Sequence, residues 1–256
     1  YEGKGGVPLS FFRKLLFAAR FGSVTILLAN EITDESRIMY YRTVRERVAR
    51  IAPFARLEGD PYLVVTPEGR LVWFVDGYTM TDRFPYSEPM KNVGNYVRNS
   101  FKAVVDAYDG TVQLYVSDAT DPILQTYAKI FPGVFKPLAE MPEALQKHVR
   151  YPGGMLGIQA HMFRAYHMQD PQVFYNKEDL WAIPGRPGRS GEQEMDPYYT
   201  IMKLPGEKKE EFIMLVPFTP SRKDNMAAWM AVRCDMPNYG KLIAYQFPKQ
   251  KLVYGP

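Results

Sequence analysis

Cysteine is almost missing from this chain. Cys234 stands alone among 256 residues, which excludes an internal disulfide and any metal cluster built on several thiolates. Histidine is scarce as well. His161 and His167 are six residues apart, about 120° around a helix, so the HExxH spacing of a zinc peptidase is absent, and His148 has no partner nearby in sequence. Asp106, Asp109, Asp118 and Asp121 cluster in sequence without the Asp-x-Asp-x-Asp-Gly pattern of a calcium loop. Gly3-Lys4-Gly5-Gly6 and Gly153-Gly154 lack the Gly-Lys-Ser/Thr ending of a phosphate loop. Gly188-Arg189-Ser190-Gly191 carries Glu192 where a nucleophile elbow needs its second glycine. Ser221-Arg222-Lys223 falls one residue short of the Ser-x-x-Lys spacing. No catalytic residue, cofactor site or metal site is assigned. Two carboxylates of a hydrolase need not be close in sequence, so an acidic hydrolase stays open as an alternative.

Long apolar runs are lacking too. The best one, Leu9 to Ala29, carries Arg13, Lys14 and Arg20, each costing about 2.5–3.5 kcal/mol at a bilayer centre. Its longest charge-free part, Phe21 to Asn30, is about half of what a spanning helix needs. Charge of one sign is also missing. With 32 basic and 28 acidic residues the net charge is +4 and the pI near 8.9. That balance tolerates an anionic surface without supplying the dense basic stripe of a nucleic-acid binder, and nucleic acid is not an expected partner. The chain opens at Tyr1-Glu2-Gly3 without an initiator methionine and stops at Tyr254-Gly255-Pro256, which reads as a piece of a larger protein.

What is present is material for a core. Hydrophobic residues make up 46% of the chain, and 18 Tyr with 15 Phe supply rings for half-wet positions. The stretch from Leu9 to Ala29 reads as helical with a break near Gly22. Thr33 reads as the cap of a second helix, with Asp34 and Glu35 in its first turn and Ile38, Tyr41, Val44, Val48 and Ile51 on one stripe. Tyr62–Val65 and Leu71–Val75 flank Pro67-Glu68-Gly69, a hairpin. A second hairpin joins Ala103–Tyr108 to Thr111–Val116 through Asp109-Gly110, the pair that suits a type I′ turn. Asp121-Pro122 opens a helix that Pro132-Gly133 ends, and further helices begin near Met141-Pro142-Glu143 and after Gly153-Gly154. Tyr198–Leu204, Phe212–Pro217 and Leu242–Phe247 read as strands, and Asn225–Val232 as a helix.

Strands cluster and helices cluster, so the expected class is α+β, with antiparallel hairpin sheets packed against segregated helices. The Gly/Pro-rich run Pro184 to Gly191 reads as a hinge. It would divide an α+β lobe of residues 1–183 from residues 192–256, a strand-rich second lobe or the completion of one domain.

Two surfaces stand out. Arg42, Arg45, Arg47 and Arg50 decorate one helix, and a basic helix face is most often simply solvated. Arg222, Lys223 and Asn225 fall where a strand is expected to hand over to a helix N-terminus, whose free N–H groups attract anions. These three residues form the candidate ligand surface. The competing assignment is a plain Asp/Asn cap with Trp229 in the core.

Several long stretches resemble uncharacterised protein family 0182, a set of large bacterial multi-pass membrane proteins. The resemblance lies in Tyr96 to Asp109, in Asp121-Pro122 through Phe131-Pro132-Gly133, in Tyr166 to Asn176 and in Phe218 to Trp229. It implies a parent with a bundle of spanning helices followed by a soluble region outside the cytoplasm, of which this chain would be the front part. It brings no catalytic residues with it. The resulting expectation is a non-catalytic extracytoplasmic domain, tied to the membrane through its parent, that binds an envelope polymer or a protein or helps the parent assemble.

Overall fold

The computed structural model describes residues 3–188, 191–221, 223–248, 250 and 252–254. It divides into two compact units, Tyr1–Ala144 and Leu145–Pro256. The class is α+β, and strand pairing is antiparallel apart from one parallel pair among the described residues.

In the first unit β1 (Val7–Pro8) pairs with β2 (Arg37–Ile38), and α1 (Phe11–Phe21) and α2 (Thr25–Leu28) lie between them in sequence. Ser10 caps α1 by accepting from the Arg13 N–H, and Gly22 closes it in the left-handed conformation (φ 62°) that a side chain resists. Next come α3 (Val44–Ile51), β3 (Arg56–Leu57), β4 (Tyr62–Val65), β5 (Leu71–Thr81), β6 (Tyr96–Asp106), β7 (Val112–Val116), α4 (Pro122–Ile130) and β8 (Phe135–Pro137). The sheet order is β3-β5-β6-β7-β8, with β4 also paired to β5. One sheet face packs Val75, Phe101, Ala103, Val105 and Leu114 against Val48, Ala52 and Leu124. Each of the valines, leucines and Phe101 contributes about 1.5–3 kcal/mol on burial.

The long β5–β6 pair is interrupted once. Gly77 faces Phe101 and Tyr78 faces Asn99, so Ser100 is an extra residue, a β-bulge. Beyond it Asn99 Nδ2 donates to Asp76 Oδ1 at 3.0 Å, beside the buried ion pair of Asp76 and Lys102. Ser100 joins a different group. Its hydroxyl and those of Thr79 and Tyr96 donate to the Asp121 carboxylate at 2.5–2.8 Å, which also caps the Ile123 and Leu124 N–H groups.

A short helix, α5 (Glu143–Gln146), runs across the division. The second unit holds α6 (Gly153–Tyr166), α7 (Pro171–Asn176), β9 (Trp181–Ala182), β10 (Gly185–Gly188), β11 (Gly191–Glu194), β12 (Tyr198–Lys203), β13 (Glu210–Pro220), β14 (Ala228–Arg233) and β15 (Leu242–Gln246). The main sheet runs β12-β13-β14-β15, and β9 pairs with the far end of β13. Leu204, Ile213, Leu215 and Ala231 pack with Trp229, Ile243 and Tyr245. Phe163 of α6 meets Phe218 of β13, ring centroids 6.2 Å apart. Arg233 is buried and held by Glu211 and Glu207, so its charge is fully paired.

Four local expectations change. The helix expected from Thr33 begins at Val44 instead. Residues 33–36 close a turn through their own side chains, with the Thr33 N–H donating to Ser36 Oγ at 3.0 Å, and Tyr41 stands at φ 50° where no helix can continue. The turn before β7 is not a two-residue type I′. Asp106 Oδ1 accepts from the Tyr108 and Asp109 N–H groups, and of the five residues between the strands, 107–111, only Gly110 has positive φ. The Pro184–Gly191 stretch contributes the β10–β11 hairpin, with residues 189 and 190 outside those described. Most consequentially, the expected helix over Asn225–Val232 is strand β14. It lies between β13 and β15 with both faces covered, and a buried central strand reads as an unbroken apolar run that periodicity cannot tell from a helix.

Among the described residues, no helix is long and apolar enough to cross a membrane.

Candidate functional site

No helix N-terminus stands at Asn225, because the chain enters strand β14 at Ala228. What stands in its place is a cavity of about 710 Å3 at one end of the second unit's sheet. Three segments wall it. Residues 176–181 run from the end of α7 into β9, Pro220, Ser221, Lys223 and residues 225–227 lie between the end of β13 and the start of β14, and Gln246 at the end of β15 is followed by Phe247 and Pro248. β13 and β15 finish at this end while β14 begins here, so the antiparallel order alone gathers the last two segments.

The first wall is set by local chemistry. Asp170 caps α7, accepting from the Gln172 and Val173 N–H groups at 2.8 and 3.1 Å, with Pro171 as the first helical residue. Lys177 stops the helix in the left-handed region (φ 53°), an uncommon place for a side chain with no hydrogen-bonding cap of its own. The Lys177 and Glu178 N–H groups return to the Phe174 and Val173 carbonyls, and the chain leaves along the cavity. Trp181 then pairs with Pro220, and the Ser221 N–H donates to the Leu180 carbonyl at 3.0 Å, which ties first wall to second. The Phe247 N–H reaches the Ala227 carbonyl and the Met226 N–H the Val253 carbonyl, which fixes the rest.

Behind the first wall lies an aromatic stack. Trp181 is buried, with the His167 ring 3.5 Å from it and Phe218 5.4 Å away. Arg164 Nε holds the Trp181 carbonyl at 3.0 Å. The His167 Nδ1 sits 3.0 Å from the Phe163 carbonyl. A carbonyl only accepts, so Nδ1 carries a proton there. Nε2 is buried without a hydrogen bond among the described residues, and its nearest ionic neighbour is Asp179 Oδ2 at 3.8 Å, on the cavity wall.

The cavity offers hydrogen-bonding groups of every kind. Asn176, Asn225 and Gln246 bring amides and Ser221 a hydroxyl, with Phe247 and Trp181 as apolar surface. Its described charges balance, with Lys177 and Lys223 against Glu178 and Asp179. Glu178 is steadied by the Asn176 amide, which donates at 2.9 Å. No group of three or more His, Cys, Asp or Glu residues among those described is placed to hold a metal ion.

Of the residues singled out from sequence, Lys223 and Asn225 both line this cavity, and Arg222 lies outside the described residues. Asn225 is positioned by a strand bridge to Tyr254, not by a helix cap. The arginine-rich helix face is partly spoken for. Arg47 donates to the Gly110 and Tyr40 carbonyls, and Arg50 lies over the Tyr41 ring. Sequence reasoning missed the whole segment 176–181. Its one local signal was Asp170-Pro171, a helix start that places a chain reversal about two turns later.

The family model described as Uncharacterised protein family (UPF0182) matches residues 1–256. The chain belongs to this family. The UPF0182 protein of Geobacter sulfurreducens is 60% identical over 257 residues, that of Geotalea uraniireducens (strain Rf4) 58%, and that of Pelotomaculum thermopropionicum 55%. Each alignment takes in 100% of this chain and 28% of the relative, so this UPF0182 chain spans a little over a quarter of the length of the curated relatives it matches. No solved structure matches it.

Proposed function

We propose that the second unit is a binding module for a neutral, hydroxyl-rich polymer of the bacterial envelope, carried outside the cytoplasm by a membrane-anchored UPF0182 parent. The observation that carries this reading is the charge-balanced, amide-rich cavity. Amide groups donate and accept at once, which matches the paired hydroxyls of a sugar, and the apolar faces of Phe247 and the neighbouring prolines suit its C–H surface. Among the described lining residues two cations are offset by two anions, which gives a polyanion no net attraction from them and argues against nucleic acid. The membrane placement draws its support from the parent architecture that the family resemblance implies.

The test is a titration of the isotope-labelled chain with soluble glycan fragments of bacterial cell wall, read by amide NMR shifts. Saturable shifts are expected in residues 176–181 and 223–227, with about tenfold weaker binding for Asn225→Ala, the loss of one well-placed hydrogen-bonding group. Shifts confined to other parts of the molecule, or none at millimolar glycan, would sink the proposal. Shortening of the glycan during the titration would favour the hydrolase instead.

A further inference from the structure

The first unit carries an unpartnered feature that the cavity does not explain. From Gly3 to Asn30 the sequence has no acidic residue, while Lys4, Arg13, Lys14 and Arg20 are basic. At the helical rotation per residue, Phe11, Leu15, Ala19, Phe12 and Leu16 of α1 share an arc of about 140°. All five are exposed, with Phe11 at 78% and Phe12 at 65%. α2 adds Val24 and Leu28, the latter 73% exposed. α1 packs through the side that runs from Ala18, next to Phe11, round to Phe17, which is opposite the arc. Ala18 is buried, and the Phe17 ring meets Phe21 and Tyr40 at 5.8 Å.

The basic residues flank the apolar arc. Arg13 and Arg20 lie beyond Leu16 on one edge, and Lys14 lies beyond Phe11 on the other. Each is also a tether. Arg13 donates to the Pro8 carbonyl at 3.1 Å and Lys14 to the Ile32 carbonyl at 2.7 Å, while Arg20 holds the hydroxyls of Tyr40 and Tyr41. The helix is thus fastened to its unit through its polar edges, with the apolar side left outward.

We propose that α1 and α2 form a lipid-docking surface that lies in the plane of an anionic phospholipid membrane. A contiguous set of large apolar side chains marks an interaction site. The charge pattern selects lipid as its partner, because an apolar face between basic edges, on helices that carry no acidic residue themselves, is the pattern of an interfacial helix. The positive charge held at the edges attracts anionic headgroups while the apolar face enters the acyl boundary. The inference is independent of the cavity, which belongs to the other unit.

The test is co-sedimentation of the 256-residue chain with vesicles of equal parts phosphatidylglycerol and phosphatidylcholine, and with phosphatidylcholine alone. Binding to the anionic vesicles at low salt is expected, about tenfold tighter than to the neutral ones. The double variant Phe12→Ser/Leu16→Ser is expected to weaken it about a hundredfold, and Arg13→Glu about tenfold on anionic vesicles alone. Circular dichroism confirms each fold, and Leu28→Ser on the separate helix α2 gives a second reading. No binding to anionic vesicles at low salt overturns the proposal, as does binding that the folded variants leave unchanged. So does a dimer, seen by sedimentation, that the double variant dissolves, since a second copy would then cover this face.

Discussion

Asp76 and Lys102 face each other across β5 and β6 as a directly paired couple, with their side chains 4% and 1% exposed. Burial pushes the Asp76 carboxyl up, against the pull of Lys102 and the Asn99 amide. Removing one partner of such a pair leaves the other charge stranded. Lys102→Met is expected to cost about 3–5 kcal/mol at neutral pH. The sign follows from the raised carboxyl. An unpaired Asp76 takes a proton more readily when folded than when unfolded, so the penalty shrinks as pH falls below its folded value. Urea midpoints of Lys102→Met across the acid range check this, and a penalty that grows on acidification would contradict it. The double variant with Asp76→Leu should recover most of the loss.

Asp121 shows the opposite sign. Burial raises its carboxyl, but donors from Thr79, Ser100, Tyr96 and the Ile123 N–H outweigh that and hold it below the ordinary value. Its contribution is therefore complete above the unfolded value of about 3.9 and is lost as pH falls through the lower folded value. Asp121→Asn keeps the shape but strands at least one donor, at a cost of about 1–3 kcal/mol near neutrality. Its stability should also fall less steeply below pH 4 than that of the parent chain, as thermal melts at stepped pH will show.

Gly77 has no room for a side chain. A Cβ there would stand 2.2 Å from Phe101 Cζ, in a ring that is fully buried. Gly77→Ala is expected to destabilise the first unit by about 1–3 kcal/mol through overpacking. Combining it with Phe101→Leu should cost less than the sum of the two single changes, because the alanine relieves the cavity that leucine opens. Strict additivity in a double-mutant cycle would show that the ring moves aside at no cost.

Trp181 joins the aromatic stack to the cavity wall, so Trp181→Ala should act on both. The expected loss is about 3–5 kcal/mol from the second unit, read from its denaturation midpoint. A smaller change in a folded variant would mean that His167 and Phe218 close the gap.

Legibility in the sequence followed the range of the forces involved. The start of α4 at Asp121-Pro122 and the turn at Pro67-Glu68-Gly69 were readable because caps and turns are set by neighbouring residues. β14 was not, since its apolar run is explained only by the strands on either side. The cavity follows the same rule. Lys223 and Asn225 drew notice through a helix that is not there, and they line the site because three strand ends meet. The segment 176–181 reaches them through the two-residue pairing of β9 with β13, which leaves no periodic trace.

The bulge at Ser100 carries one more implication. Phe101 opposes Gly77 and Asn99 opposes Tyr78 whether or not a residue intervenes, so Ser100 supplies no rung of the ladder. A chain shortened by that residue would keep every neighbour on its present side of the sheet. Its hydroxyl would be gone, and with it one of the ligands that keep Asp121 ionised inside the protein, together with the carbonyl that accepts from the Ser117 and Asp118 N–H groups. Ser100 is an insertion that adds nothing to the β5–β6 ladder, yet it supplies a ligand for Asp121 and a carbonyl that holds the chain leaving β7.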